Sequence, residues 1–406
     1  MEFVRRYGLE LTIAAVFDRS HQSKDTDWVE GDVLWTDSAE EFLATAADVV
    51  VEVLGGSEPA DRIIRESLSS GIAVVTANKL LVAEHGAEYV DLAFQSGAFL
   101  GFEAAVAGGI PIVRILQQSL AADSIEQVRG ILNGTCNFIL SEMAESRLRQ
   151  SEILAEAQAL GYAESNPEMD LSGRDTRDKL AILAALAFGQ WVSPESIPTK
   201  GIQEIELVDL LYAERLDSTI RLLGTGLMTD GCVRLRVSPY VVNRSLPLAH
   251  VSGVLNAIET LGRRGGSFLF SGPGAGGDPT AVSITADILQ AVRVDSAGGS
   301  WNSPFLRARA QSAEAKPASE PDDAVPFYLR FTVRDEPGII ASLARILASR
   351  NINIDSVLQK PWDDKSKLPF IITGEPTPFA AMEKAAAEMA SFDFNRKPPL
   401  LLPILN

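Results

Sequence analysis

The sequence predicts the α/β class: an amino-terminal parallel α/β unit, a central α+β unit and a carboxy-terminal βαββαβ unit. Three observations carry this. A chain of 406 residues exceeds a single ordinary core, which stops growing at roughly 250–300 residues. Through about the first 120 residues, short apolar runs alternate with helical periodicity, as a parallel sheet with crossover helices reads. A stretch rich in Ala, Ser, Gly, Pro and acids, residues 296–325, then reads as a linker ahead of a block with its own rhythm of strands and helices. Hydrophobic content of 46% and charged content of 22% fit a soluble globular chain. The net charge of −18 argues against nucleic acid or an anionic membrane as partner, because phosphate neutralisation drives such binding. No apolar run reaches the roughly 20 residues that span a bilayer, and Met1–Arg6 lacks a signal peptide's apolar core, so the expected location is cytoplasmic. Two cysteines, Cys136 and Cys232, and three histidines do not supply a disulfide framework or a histidine-held transition-metal site.

In the first unit, residues 1–119, strands are predicted at Leu11 to Phe17, Asp48 to Leu54, Ile72 to Thr76 and Phe99 to Glu103. Helices are predicted at Glu58 to Ser70 and Leu80 to Ser96. Gly55-Gly56-Ser57 and Asn78-Lys79 follow strand C-terminal ends, where ligands sit in open α/β sheets. This is a Rossmann-type pattern, but a truncated one. The usual first strand and Gly-x-Gly-x-x-Gly turn are missing, and Glu2 to Tyr7 reads as the end of a first helix, so the expectation is a truncated or mis-started chain. In the second unit, residues 120–295, Ser124 to Leu132 reads as a strand running into Asn133-Gly134. Helices follow at Cys136 to Leu148, Glu152 to Leu160, Asp175 to Phe188 and Gln203 to Leu216. Strands come next at Thr219 to Met228, Val233 to Val237, Gly253 to Thr260 and Ser267 to Phe270, and a long helix at Thr280 to Val294. The last unit, residues 326–406, reads Phe327 to Val333, Gly338 to Arg350, Ile352 to Gln359, Leu368 to Thr373, Phe379 to Met389 and Leu400 to Leu402 as strand, helix, strand, strand, helix, strand.

The segment Gly161 to Lys179 concentrates the chemistry. Asp175 and Lys179 are four apart, so a helix from Asp175 stacks them on one face, and Glu164 arrives from the loop ahead. A carboxylate that grips an ammonium and a lysine that exchanges a proton suit the oxidation of an amino alcohol. Spacing alone describes a surface ion pair equally well, and a working base needs its lysine pKa brought down from about 10.4. Asp170, Glu168 and Asp178 read as structural, Asp178 lying on another helix face and Asp170 holding nearby loop groups. Asn78 and Lys79 leave a buried strand toward the cleft. Asn133-Gly134-Thr135 offers freed amides for a carboxylate or a nicotinamide amide, or is an ordinary helix start with Thr135 as cap. Cys136 reads as a packing residue. Gly272-Pro273-Gly274-Ala275-Gly276-Gly277 is either a cofactor turn or tight chain packing. Asp18 at a strand end favours an NAD ribose, and adjacent Arg19 an NADP phosphate.

Gly161 to Lys179 resembles homoserine dehydrogenase. So do Thr76-Ala77-Asn78-Lys79, Phe102-Glu103-Ala104-Ala105-Val106-Ala107-Gly108-Gly109-Ile110-Pro111, Ile131-Leu132-Asn133-Gly134-Thr135-Cys136-Asn137-Phe138-Ile139 and Gly272-Pro273-Gly274-Ala275-Gly276-Gly277-Asp278-Pro279-Thr280-Ala281, so the resemblance spans nearly the whole chain. It implies NAD(P)-dependent interconversion of L-homoserine and L-aspartate 4-semialdehyde, with NADP favoured over NAD by Arg19. It makes Lys179 the base, has Glu164 and Asp175 recognise the substrate ammonium, and sets Lys79 against cofactor and substrate. Thr76, Asn78, Asn133, Gly161, Gly274 and Gly276 join Lys79 in cofactor binding. Backbone carbonyls of Glu103, Val106, Gly108 and Ile110 would hold Na+. The helix at Thr280 would pack back on the nucleotide domain, and pairing through the substrate domain would give a homodimer or homotetramer. Asp335-Glu336-Pro337-Gly338 in the last unit resembles an ACT domain, implying inhibition by threonine that deletion of residues 326–406 would abolish. The rival expectation, motivated by the missing phosphate turn, is a catalytically silent regulatory or amino-acid-binding paralogue.

Overall fold

The computed structural model describes residues 8–24, 29, 31–296, 324–360 and 364–406. The predicted helix end at Glu2 to Tyr7 and most of the linker lie outside them. In chain order the strands are β1 Ala15–Phe17, β2 Leu34–Thr36, β3 Val49–Glu52, β4 Ala73–Thr76, β5 Leu100–Gly101, β6 Ile125–Ile131, β7 Ser218–Thr229, β8 Cys232–Asn243, β9 Leu255–Gly262, β10 Gly266–Pro273, β11 Ala324–Val333, β12 Ile354–Gln359, β13 Leu368–Pro378 and β14 Leu400–Leu405. The α-helices are α1 Ala39–Ala44, α2 Ala60–Ser69, α3 Lys79–Ser96, α4 Ile112–Arg114, α5 Gly134–Ser146, α6 Gln150–Ala159, α7 Glu168–Leu171, α8 Arg174–Phe188, α9 Leu207–Arg215, α10 Gly277–Ser296, α11 Ile339–Ser349 and α12 Phe379–Ala390.

The amino-terminal unit is parallel throughout. β1 pairs with β2, and β3, β4 and β5 form a second sheet in that order. Among the described residues these two sheets do not pair with each other, so β1 and β3 each keep an unpaired edge. Helix α2 lies between two of the parallel strands and buries Ala60, Ile63, Ile64, Ser67 and Leu68, the single stripe that a 3.6-residue period generates. β2 and α1 escaped the sequence reading. Both are short, but Ser38 followed by Glu41 was a usable helix-start signal, and the Ser38 hydroxyl accepts from Glu41 N at 3.3 Å. The strand predicted at Phe99 to Glu103 is cut to Leu100–Gly101. There the buried Glu103 turns its carboxylate back to accept from the amides of Val113 and Arg114 at 2.8 and 3.0 Å, and the backbone coils at Glu103–Ala105 instead of extending.

The remaining strands form one nine-stranded sheet in the order β10-β9-β6-β7-β8-β14-β11-β13-β12. The carboxy-terminal unit has the predicted βαββαβ order, yet its sheet is continuous with that of the substrate domain. β14 runs parallel to β8, with Ile404 beside Val241 and Leu405 beside Val242. β8 extends well past the predicted Val237, through Pro239 to Asn243. The reason is geometric: Val237 directs its N–H and C=O to Pro198 and Lys200, so Pro239, two residues on, places its missing donor on that same side and not on the β7 ladder. Helix α9 starts at Leu207, four residues later than predicted from Gln203, because Glu206 is extended and its N–H is taken by Asp209 Oδ2 at 2.8 Å.

Helix α8 is the spine of the substrate domain. Every residue from Leu180 to Ala187 is buried, as expected of a helix apolar on all sides. Gly173 (φ +83°) and Gly189 (φ +75°) bound it. Its first turn therefore enters the core with its polar side chains, and each of these must find a partner.

Candidate active site

Four elements converge on the start of α8. Asp175 is buried; its Oδ2 accepts from Lys179 Nζ and from Asn133 Nδ2, both at 2.8 Å, and its Oδ1 pairs with Lys79 Nζ at 2.6 Å. Lys179, one turn on, donates a second bond to the carbonyl of Leu132 at the end of β6, also at 2.8 Å. Asn133 caps α5 by accepting from Cys136 N at 2.8 Å, and its remaining amide hydrogen goes to Asp170 Oδ1 at 2.7 Å. Lys79 is the first residue of α3, directly after β4 and the capping Asn78. Two ammoniums and two carboxylates thus share one cleft at the C-terminal ends of β4 and β6.

The electrostatics follow from this count. Burial opposes ionisation of Asp175, but Lys179 and Lys79 outweigh it and hold the carboxyl well below the usual carboxylate range. Burial likewise opposes the charge on Lys79, and Asp175 outweighs it, raising Lys79 above the ordinary lysine value. Asp170 moves up, chiefly through burial, despite its bond from Asn133. Cys136 is fully buried, with its thiol pushed well up by burial and the neighbouring aspartates, and its Sγ donates to the Asp170 carbonyl at 3.2 Å, so it packs and caps.

Several sequence expectations land differently. Asp175, expected to recognise the substrate ammonium, is bonded at both oxygens to the chain's own lysines and Asn133, because the helix enters the core and buries it. Glu164 is exposed on its loop, and its carbonyl accepts from Gln158 Nε2 at 3.1 Å. Gly161 is also exposed; at φ +76° it terminates α6, and its conformation has a local reason. Asp178, read as structural, is buried against Arg177 with a bond of 2.9 Å.

The cofactor side is built on Glu52, which the sequence reading passed over. It ends β3 and is buried, and it accepts from Thr76 Oγ1 at 2.5 Å, Leu54 N at 2.8 Å and Asn78 Nδ2 at 3.5 Å. Asn78 Nδ2 also reaches the Gly56 carbonyl at 2.8 Å. One carboxylate therefore ties together the two turns expected to contact the cofactor. A lone acid closing an apolar run, Val-Val-Val-Glu, was the available signal. Gly55 and Gly56 both sit at φ +72° with open space where a Cβ would stand, a cradle that fits a nucleotide approaching the strand ends.

The turn at Gly272–Gly277 packs onto the turn at Glu103–Ile110. Gly109 N donates to the Pro273 carbonyl at 3.0 Å, and a Cβ on Gly108 would lie 2.7 Å from the Gly274 carbonyl oxygen. Close chain packing accounts for Gly274, while Gly276 takes φ +115° just before α10. Of the carbonyls expected to hold Na+, that of Glu103 accepts from Val106 N (3.5 Å), that of Gly108 from Ser283 Oγ (2.6 Å) and that of Ile110 from Ile112 N (2.7 Å). The Glu103 side chain is pushed up to about 7 by burial and by Asp287. Asp287 accepts Glu103 N and Arg114 Nη2, both at 2.9 Å, and so fastens α10 to the nucleotide domain.

Comparison with known proteins agrees with this geometry. The family described as homoserine dehydrogenase matches residues 111–289, the NAD-binding domain of homoserine dehydrogenase matches 1–103, and the ACT domain matches 327–388. A homoserine dehydrogenase of Neisseria gonorrhoeae is 37% identical over 98% of this chain and 91% of its own length. The crystal structure of a homoserine dehydrogenase from Thiobacillus denitrificans superposes with a TM-score of 0.90 at 34% identity, covering 100% of this chain and 93% of that one. A hyperthermophilic archaeal homoserine dehydrogenase in complex with NADPH aligns at TM-score 0.53 and 30% identity, over 61% of this chain and 72% of that one. The chain belongs to the homoserine dehydrogenase family, oxidoreductases with an NAD(P)-binding domain, and carries an ACT domain at its carboxy terminus.

Proposed function

We propose that Lys179 is the proton-exchanging residue in the interconversion of L-homoserine and L-aspartate 4-semialdehyde, and that Lys79 and Asp175 fix its position. One observation carries this reading: Asp175 is shared by two buried or half-buried lysines, each from a different domain. Lys179 Nζ spends two donor directions on Leu132 O and Asp175 Oδ2; the remaining position on the nitrogen would serve a substrate hydroxyl. Lys79, held as an ammonium by Asp175, suits a substrate carboxylate or a developing alkoxide. The nicotinamide cofactor, when bound, supplies the hydride acceptor. Thr76, Asn78, Lys79 and the Gly55–Gly56 cradle would hold it, with Gly276 at the facing turn. Glu164, exposed on the loop ahead of α8, would bind the substrate ammonium.

NADP is the favoured cofactor. Ser20 N–H and Oγ, at 2.8 and 2.9 Å, and Lys24 all engage the Asp18 carboxylate, which leaves Arg19 as the group for an added phosphate. Threonine is the proposed effector of the ACT domain, and a homodimer or homotetramer the proposed assembly. The edge strand β10 and its neighbour β9 expose Leu255, Leu261 and Leu269 on one side of the sheet, an apolar face suited to a second copy. Among the described residues no helix is long and apolar enough to cross a membrane; a cytoplasmic location is proposed with it.

The test is Lys179→Met in the full chain. Turnover with homoserine should fall by about 10²–10⁴-fold, the usual contribution of a general base, while NADPH affinity stays within twofold. Undiminished turnover would remove Lys179 from the mechanism, and a wild-type chain that binds no NADPH at millimolar concentration would favour a silent paralogue. Threonine is tested by titrating the intact chain, because removing residues 326–406 would also uncover the β8 edge.

A further inference from the structure

Asn256 is 1% exposed, and neither its carboxamide nitrogen nor its oxygen has a hydrogen-bond partner among the described residues. Buried polar side chains are nearly always paired, and an orphaned donor and acceptor lower stability. Its position supplies a reason to keep it. The β6–β9 ladder ends with Ile131 beside Ala257, so Asn256 stands next to Leu132, whose carbonyl holds Lys179. On its other side it pairs with Gly272, at the start of the glycine-rich turn. A Cβ on Gly274 would lie 2.0 Å from Asn256 Cγ and Nδ2 and 2.4 Å from Oδ1. Glycine at 274 is therefore what lets the carboxamide lie beneath the turn, and the turn closes on Gly108 and Gly109 of the nucleotide domain.

We propose that Asn256 is a cofactor-binding residue: when the Gly272–Gly277 turn lifts, its carboxamide pairs with the carboxamide of the nicotinamide ring. That group presents one donor and one acceptor side by side, the complement of the two orphaned atoms. The pairing places the ring beside Leu132 and Lys179, where the hydride leaves the carbinol carbon and the proton leaves its hydroxyl oxygen. The frustration of the free protein is then the counterpart of its affinity, as at sites where stability is traded for function. The proposal rests on the dehydrogenase reading, and its test separates the two.

The experiment compares wild type, Asn256→Leu and Asn256→Ala, measuring the thermal midpoint without cofactor and the NADPH dissociation constant by titration. Leu is apolar and of similar volume, so the cofactor-free midpoint should rise in Asn256→Leu while NADPH binds at least tenfold more weakly. Asn256→Ala should show the same loss of affinity. Unchanged NADPH affinity in both variants overturns the proposal whatever the midpoints do, and a lowered midpoint in Asn256→Leu with affinity retained assigns the amide to a buried water instead. A wild-type chain that fails to bind NADPH at all overturns the parent reading, a different result from any of these.

Discussion

Two buried aspartates, each in the first turn of a helix, show how the same side chain is put to opposite use. Asp175 at the start of α8 meets two ammoniums and the Asn133 amide, and its carboxyl is held well below the ordinary range. Asp209 in α9 meets one guanidinium, the Tyr328 hydroxyl at 2.8 Å and its own helix amide, and burial pushes it up to about 6. Arg330 Nε lies 2.8 Å from Asp209 Oδ1 but off the hydrogen-bond direction, so the contact is one of charge alone. Burial disfavours both carboxylates; a second cation decides the sign. The site acid thus stays ionised at any physiological pH, whereas the acid between substrate and ACT domains titrates within reach of it.

The most severe way to break this contrast is Asp175→Asn. Two ammoniums would face a neutral amide, and removing one partner of a buried charge cluster costs about 3–5 kcal/mol, so urea denaturation should show a loss of that order together with lost turnover. Asp209→Asn is expected to be far milder at neutral pH, since the fold already resists the charge there; equal losses in the two variants would refute the comparison.

The pH dependence sharpens the same contrast. Asp209 has a folded pKa near 6, above the unfolded value of about 3.9. Between those values the folded chain binds the extra proton, so this group makes the protein less stable as pH rises from about 4 to 6. Asp175 has the opposite sign: its contribution is present above the unfolded pKa of about 3.9 and is lost as pH falls further. The difference in melting midpoint between wild type and Asp209→Asn should therefore shift in the wild type's favour on going from pH 7 to pH 5. A flat difference across that range would show that Asp209 does not titrate there.

The smallest effect is expected from Tyr328→Phe. It removes one hydrogen bond to Asp209 and should cost about 1 kcal/mol, visible as a modest drop in midpoint. The Tyr212 hydroxyl, which donates to the Pro369 carbonyl at 3.0 Å, is untouched in that variant, so the ACT domain stays docked and activity should persist.

Much of this was legible in advance. Asp175 and Lys179 came from their four-residue spacing at the head of an apolar run, and Lys79 and Asn78 from their place after a buried strand. Helices α2 and α3 announced themselves by periodicity, and α8 by its apolar run. Glu52 offered only its place at the end of an apolar run as a signal, and Asn256 offered none, because its lack of partners is decided across the fold.

The amino-acid order by itself determined the three units, the strand and helix rhythm within each, and the local pairing of an acid with a lysine one helical turn apart, because periodicity and chain spacing are short-range properties. Only the tertiary structure decided that β14 would join the ACT sheet to β8, that Lys79 would cross from one domain to share Asp175 with Lys179, and that Asp209 would be left with a single cation. Those outcomes depend on which charges are buried together, and burial is a property of the packed molecule.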